Sequence, residues 1–257
     1  WITHSVNWRD ETIDWNRFDA VLIRSTWDYQ DDPELFLQTL QRIENSTAQL
    51  QNPLALVAWN INKVYLKDLQ QSGIETIPTL WPQRFCKGDT SRYFAQLQSA
   101  EIVFKPLISA NADNTFRVQS ETADNMTSEL LRCFSNKAFM VQPFMRSVIE
   151  EGEFSLFFFA ARYSHAVLKT PRHNDFRVQE EHGGTLQKIE PETRLLAIAE
   201  TVNRQLSPAP LYSRLDFVRT ATGFAVIEVE LIEPSLYLNM DEHSAERLAE
   251  AVDHWMR

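Results

Sequence analysis

Near its C-terminal end the chain reads YSRLDFVRTATGFAVIEVELIEPSLYL over residues 212–238. Two alternating runs flank a turn that ends in Gly223, the pattern of a β-hairpin. A common hairpin loop has three residues, the last a left-handed glycine. Taking Ala221, Thr222 and Gly223 as that loop pairs Thr220 with Phe224. The same register sets Asp216 opposite Glu228 and Arg214 opposite Glu230. Side chains alternate along a strand, so these four share one face. Leu215, Phe217, Ile227 and Val229 then take the other face, toward a core. Three carboxylates on one face repel one another unless positive charge sits among them, and hard oxygen donors of this kind suit Mg²⁺. Arg214 alone does not neutralise three acids. A solvated face with one Arg–Glu pair is the plain alternative, but the ordered D-x-loop-E-x-E spacing favours a metal.

Glycine decides which nucleotide folds remain. Only six occur in 257 residues, at positions 73, 88, 152, 183, 184 and 223. No set is spaced as G-x-G-x-x-G, and none precedes a Lys-Ser or Lys-Thr pair. Rossmann dinucleotide folds and P-loops are therefore excluded. The net charge of −10 gives no general attraction for nucleic acid or anionic lipid. A polyanion such as ATP would have to be held by local Lys and Arg. Cys86 and Cys133 form no C-x-x-C and read as reduced thiols of a cytoplasmic protein. The longest apolar run, residues 156–161, is far short of the ~20 that span a bilayer. The chain starts at Trp1 without a Met, and its first clear strand comes late, so a preceding N-terminal piece is expected.

Along the chain, residues 20–24 read as a buried strand and Pro33 opens a helix to about residue 45. Asn52-Pro53 punctuates the sequence. A second helix is expected over 62–72, ended by Gly73, followed by an edge strand at 76–80 that contains Pro78. Strands are expected at 101–105, 116–119 and 139–142, a polar loop at 109–115 and a helix at 122–134. Two further strands, 154–161 and 163–169, precede a long polar connection over 171–184. Pro191 starts a helix carrying Leu195, Ile198, Val202 and Leu206 at helical spacing. After the hairpin, a last helix begins near Asp241. The fold class is α+β, rich in antiparallel sheet. A small α/β piece (1–52) is expected to precede a first lobe (53–140) and a second lobe that carries the hairpin (141–257).

In this order the residues resemble the ATP-grasp ligases, which include D-alanine–D-alanine ligase and the prokaryotic glutathione synthetases. The nearest likeness is to the glutathione-synthetase-like group that includes a cycloserine-forming cyclo-ligase. It rests on RSTWDY (24–29), NPLALVAWNINKVYL (52–66), VQPF (141–144), DFRVQEEHGGT (175–185) and ELIEPSLYL (230–238), and it covers residues 20–257. It implies an ATP-grasp fold, two lobes clasping ATP, preceded by a partial pre-ATP-grasp domain. Two departures are visible. The family's last metal ligand is usually Asn, and here it is Glu230. The phosphate loop is often glycine-rich, and residues 109–115 (SANADNT) contain none.

The resemblance implies a role for each matching residue. Asp216, Glu228 and Glu230 would hold two Mg²⁺ ions. Lys63 and Lys105 would neutralise α- and β-phosphate oxygens, and Lys169 and Arg177 are candidates for the γ-phosphate. Arg214 would steady the transferring phosphoryl group or the acyl oxyanion. Gln142 and Phe144 would offer backbone groups to adenine, Glu153 would take the ribose hydroxyls, and Gly183 and Gly184 would belong to the phosphate-side loop. Arg24, Ser25 and Asp28 follow a strand end, a common place for ligand contacts. Together with Ser235 of the Glu233-Pro234-Ser235 loop they are the substrate candidates. His165, His173 and His182 lack metal-ligand spacing and read as incidental.

The function so implied is an ATP-dependent carboxylate–amine or cyclising ligase on a small amino-acid-like substrate, by way of an acyl phosphate. Modification of a peptide or protein tail and an inactive ATP-binding protein are the alternatives. A small carboxylate-bearing substrate is the expected partner, without nucleic acid or membrane, and a homodimer is an open option for assembly.

Overall fold

The computed structural model describes residues 1–172, 175–178 and 180–256. A short parallel pair, β1 (Ala20–Leu22) and β2 (Gln49–Gln51), is joined by helix α1 (Pro33–Glu44). Proline at the first helical position and the Asp32 carboxylate, which accepts from the Leu35 amide, start α1. Its face of Phe36, Leu40 and Ile43 buries against Trp8, Trp15 and Leu50. Helices α2 (Leu54–Asn60) and α3 (Tyr65–Gln71) follow, then α4 (Asp89–Leu97). The first lobe's sheet has strands β3 (Glu101–Pro106), β4 (Phe116–Gln119) and β5 (Phe139–Pro143) in the order β4-β3-β5, all antiparallel, with α5 (Ala123–Phe134) between β4 and β5 in the chain.

The second sheet is larger. It contains β6 (Glu153–Phe159), β7 (Arg162–Thr170), β8 (Thr185–Ile189), β9 (Tyr212–Thr220) and β10 (Gly223–Glu230), in the order β10-β9-β6-β7-β8. The one-turn helix α6 (Ser147–Glu150), α7 (Thr193–Gln205) and α8 (Ser244–Trp255) complete the chain. Strand β6 is central and nearly continuous in apolar residues because both its faces are covered. Phe154, Leu156 and Phe158 join the core built with Leu195, Ala199 and Val202 of α7. Phe157 and Phe159 join a second core with Ala251 and Leu248 of α8. Ser155 shares that second face but meets Asp216 instead, its hydroxyl donating to the carboxylate. The α8 side of the sheet is therefore core at one end and polar at the other.

The hairpin reaches the expected pairing by a different route. The loop has two residues, because Gly223 pairs with Thr220 and Phe224 with Arg219. A bulge between Val226 and Glu228 then inserts Ile227 and restores Asp216 opposite Glu228 and Arg214 opposite Glu230. As a result Val226, not Ile227, takes the core position beside Phe217. The second expected strand, 76–80, makes only single bridges, Thr76 with Val226 and Leu80 with Val141. Strands β2 and β8 and helices α2, α4 and α6 were not expected. Among the described residues no helix is long and apolar enough to cross a membrane.

Two buried asparagines, Asn52 just after β2 and Asn60 at the end of α2, tie this part of the chain to the hairpin. The Asn52 amide donates to the carbonyls of Tyr212 (2.9 Å) and Leu231 (2.7 Å) and accepts from the Leu211 amide (2.8 Å). Asn60 donates to Val229 (2.7 Å) and accepts from Leu231 (3.0 Å). Burying a backbone group unpaired costs about 1–3 kcal/mol. Asn52→Leu fills the same volume but strands three such groups, so it is expected to destabilise the protein by roughly 3 kcal/mol or more. A clear drop in the urea midpoint relative to wild type is the expected result.

Candidate active site

The two sheets face each other across a cleft of about 1630 Å³, counted to its open mouth. Strand alternation decides what each sheet presents. Ile102, Phe104, Phe139 and Val141 turn into the first lobe's core, while Val103, Lys105, Met140 and Gln142 line the cleft. Opposite them, Glu153, Lys169, Arg214, Asp216, Glu228 and Glu230 line it from β6, β7 and the hairpin. Lys63 enters from the turn before α3, held by a 2.8 Å bond from its amide to the Leu107 carbonyl.

The three expected metal ligands converge. One oxygen each from Asp216, Glu228 and Glu230 lies within 4.8 Å of the others. The positive charge that sequence reasoning demanded is supplied by the chain itself. Lys63 Nζ lies 2.7 Å from Glu228. Lys169 lies 3.3 Å from Asp216 and also pairs with Glu153. Arg214 pairs with Asp216 at 3.1 Å and with Glu230. Repulsion alone therefore does not require a metal; the spacing of three hard oxygen donors is what fits one.

These contacts set the protonation states. Burial opposes charge on Asp216, but Arg214 and Lys169 outweigh it and hold the carboxyl below its ordinary range. Burial likewise opposes charge on Glu228, which Lys63 and Lys105 hold low. Glu230 behaves oppositely: burial, with Glu228 and Asp216 nearby, pushes it up to about 7 despite Arg214. Burial also raises Glu153. Lys169 and Arg214 stay charged against burial because of their acid partners, Asp216 foremost for both. Lys105 differs: burial and neighbouring Lys63 lower it, Glu228 compensating only in part.

Other expected residues are placed less uniformly. Arg177 lines the cleft while forming a two-point pair with Asp175. The Gln142 side chain donates to Thr79 (3.0 Å). Phe144 lines the cleft, but its amide already donates to the Glu101 carbonyl (2.9 Å), so that backbone donor is not free for a base. Ser235 lines the cleft. Gly183 and Gly184 stand at the start of β8, outside the lining. Ser25 is exposed, and Asp28 is occupied by Trp8 Nε1 (2.8 Å) and Arg9 Nε (2.7 Å), so neither reaches the cleft. Arg24 donates to the Pro234 carbonyl (2.8 Å) and braces the loop after the hairpin.

From the same segment Trp27 and Tyr29 line the cleft instead, as does Glu233. No strand alternation could have indicated the two aromatics, because β1 ends at Leu22 and Tyr29 opens a short 3-10 helix. Burial pushes the Glu233 carboxyl up to about 8, with Glu230 adding to the effect. His165 is buried, stacked 4.3 Å from Phe157 and bonded to Leu236 O and Ser164, and His182 contacts Asn111 O. His173 lies outside the described residues. Cys86 and Cys133 are free thiols.

Two lobes meeting at a cleft, with lysines on one and an acid-bearing hairpin on the other, define an ATP-grasp protein. Residues 62–242 match the prokaryotic glutathione synthetase ATP-grasp domain, and the chain belongs to that family. Residues 1–52 match the N-terminal domain of D-cycloserine synthetase DcsG. The chain is 31% identical over 265 residues to the cycloserine biosynthesis protein DcsG of Streptomyces lavendulae, covering 96% of this chain and 86% of that protein. A crystal structure of D-cycloserine synthetase DcsG superposes with a TM-score of 0.84 at 29% identity, covering 97% of this chain and 88% of that one. D-alanine–D-alanine ligase from Bacillus anthracis shares the fold at a TM-score of 0.69 and 14% identity, over 93% of this chain and 80% of that one. The family and the cyclo-ligase group inferred from the sequence are borne out, as is the α+β ATP-grasp fold.

The raised Glu230 has a measurable consequence. Its folded pKa of about 7 lies above the ordinary 4.5, so its contribution to stability is fully present below 4.5 and is lost as pH rises through 7. A cation bound at the three acids must displace that proton. Calorimetric Mg²⁺ affinity is therefore expected to climb with pH, by at most about tenfold per unit for one proton, and to level off above about 7. Glu230→Gln should remove this dependence.

Proposed function

We propose that the chain is an ATP-dependent ligase that joins a carboxylate to an amine, between molecules or within one. The substrate is small and amino-acid-like, and the products include ADP and phosphate. One observation supports this most. Lys63 and Lys105 line the same cleft as a hairpin whose three acids bring oxygens within 4.8 Å of one another. The kinship with the cycloserine biosynthesis protein adds the amino-acid-like substrate and the cyclising option. Residues 1–52 would supply part of the substrate wall, residues 53–140 the first nucleotide lobe, and residues 141–257 the lobe with the hairpin. A cytoplasmic site of action, where ATP is supplied, accords with this reading.

In the reaction a substrate carboxylate attacks the γ-phosphorus of ATP, releasing ADP and forming an acyl phosphate. An amine then displaces phosphate at the acyl carbon. Phosphoryl transfer needs little covalent help, so positioning and charge neutralisation carry it. Asp216, Glu228 and Glu230 would hold Mg²⁺, two ions in our reading, which neutralise phosphate oxygens when bound. Lys63, paired with Glu228, and Lys105, which has no ion pair among the described contacts, would be the residues that meet the triphosphate. Lys169, paired with Asp216, would serve as a fixed counter-charge, and Arg177, which lines the cleft from its pair with Asp175, would be the γ-phosphate contact. Arg214, within reach of both Glu230 and the Ser235 carbonyl (3.3 Å), would steady the acyl oxyanion where hairpin and substrate loop meet. Gln142 and Phe144 would border adenine. Glu153 can take ribose hydroxyls through the oxygen not engaged by Lys169.

Incubation with Mg·ATP and pooled amino acids should release ADP and phosphate in a substrate-dependent way. Release of AMP would contradict the acyl-phosphate route. Glu228→Gln should lower turnover on the order of 100-fold or more while leaving the fold intact, since Lys63 keeps its bond to the Ser109 carbonyl (3.2 Å). Undiminished turnover in that variant would sink the metal assignment.

A further inference from the structure

Among the described residues, five buried side-chain atoms have no hydrogen-bond partner: Arg24 Nη1, Thr26 Oγ1, Gln30 Oε1, Gln51 Oε1 and Glu233 Oε2. Native interiors satisfy nearly all such atoms, so each exception asks for an explanation. These five are not scattered. They lie on the 24–30 segment, the end of β2 and the loop after β10, and those three pieces meet. The Tyr212 hydroxyl lies 2.8, 3.3 and 2.9 Å from the carbonyls of Ile23, Gln51 and Ile232, and Arg24 reaches the Pro234 carbonyl.

Glu233 differs from the other four. It lines the cleft, together with Trp27, Tyr29 and Ser235, three residues beyond the last acid of the hairpin. It is only 8% exposed. Arg214 and Arg24 lie near enough to favour its charge, and the Trp27 side chain hydrogen-bonds the carboxyl, but neither arginine forms an ion pair with it. Arg214 is bonded to Glu230, Asp216 and the Ser235 carbonyl, and Arg24 to the Pro234 carbonyl, its Nη1 being left unpartnered as Glu233 Oε2 is. Burial without a paired cation disfavours the charged form of this carboxyl. The ligand that best relieves it brings a positive charge and several N–H donors. Trp27 and Tyr29 add aromatic surface to the same part of the lining, which suits a cationic ligand.

We propose that Glu233 recognises the substrate's own amino group: its unpartnered Oε2 accepts hydrogen bonds from an ammonium while the substrate's carboxylate is held toward the hairpin acids and their cations. This builds on the ligase function proposed above and narrows its substrate to a zwitterionic amino acid or an amine-bearing analogue. Arg24 is a positioning residue here, holding the loop that carries Glu233.

The test uses the whole protein loaded with Mg²⁺ and the non-hydrolysable analogue AMP-PNP. It is titrated calorimetrically with D-alanine, L-alanine and D-cycloserine, and with propionate as the matched acid lacking an amine. At least one amine-bearing probe is expected to bind tenfold or more tightly than propionate. Glu233→Gln should weaken that binding at least tenfold and change AMP-PNP affinity less than twofold, which also reports an intact fold. Propionate binding as tightly as alanine, no binding of any amine-bearing probe, or unchanged binding in Glu233→Gln each overturns the proposal. The comparison of alanine with propionate needs no variant. Failure of the ligase function is distinguishable, because it would appear as absent AMP-PNP binding or absent ADP release while Glu233-dependent amine binding persists.

Discussion

Eight ionisable side chains line one cleft, Glu153, Asp216, Glu228 and Glu230 with Lys63, Lys105, Lys169 and Arg214, and all but Lys105 are joined in ion pairs. They come from both lobes, and the most deeply buried of them, Lys169, Arg214 and Asp216, are paired with one another, since removing one partner of a buried pair leaves an uncompensated charge. The arrangement obliges the lobes to meet. Lys63 belongs to the turn before α3 and Glu228 to β10, so their pair crosses the cleft. Where the acids and cations balance, Asp216 and Glu228 remain ionised. Where they do not, at Glu230 and Glu233, the carboxyls drift up to about 7 and about 8. The imbalance is local to the end of the cleft next to the 24–30 segment.

That charge cluster depends in turn on backbone that is held precisely. The bulge at Ile227 turns Glu228 and Glu230 to the side of Asp216, and Asn52 and Asn60 fasten the edge of β10 and the chain after it to the segment that ends in α2. A one-residue slip would send the acids into the apolar core of Leu215 and Phe217. The Tyr65 hydroxyl, which accepts from the Val229 amide at 2.9 Å, adds a further tie on the same strand. Site and scaffold are thus one structure: the side chains that hold the hairpin sit on the elements that bring Lys63 to it.

Much of this was legible in the residues. Asp216, Glu228 and Glu230 on one face follow from alternation, and Lys105 on the cleft side follows from its place in a strand that ends at proline. The expected pairing of the acids holds with a two-residue turn, because that turn plus one bulged residue equals a three-residue loop in the count. Residue choice in the 24–30 segment was less legible. Arg24, Ser25 and Asp28 are the polar residues there, yet Asp28 is bound by Trp8 and Arg9, and the cleft receives Trp27 and Tyr29. Polarity marks which residues can bind, not which way a loop turns them. The glycines at 183 and 184 show the same limit.

The sequence by itself determined the α+β pattern, the exclusion of glycine-loop nucleotide folds and the hairpin of acids, because periodicity and residue chemistry act locally. Only the tertiary structure decided that three protein cations stand among those acids and that Glu233 lies buried with one oxygen unpartnered, in a cleft also lined by two aromatic side chains. Those facts depend on contacts between residues as far apart as Arg24 and Pro234. Burial and charge pairing belong to the space that distant segments enclose, and no local pattern specifies that space.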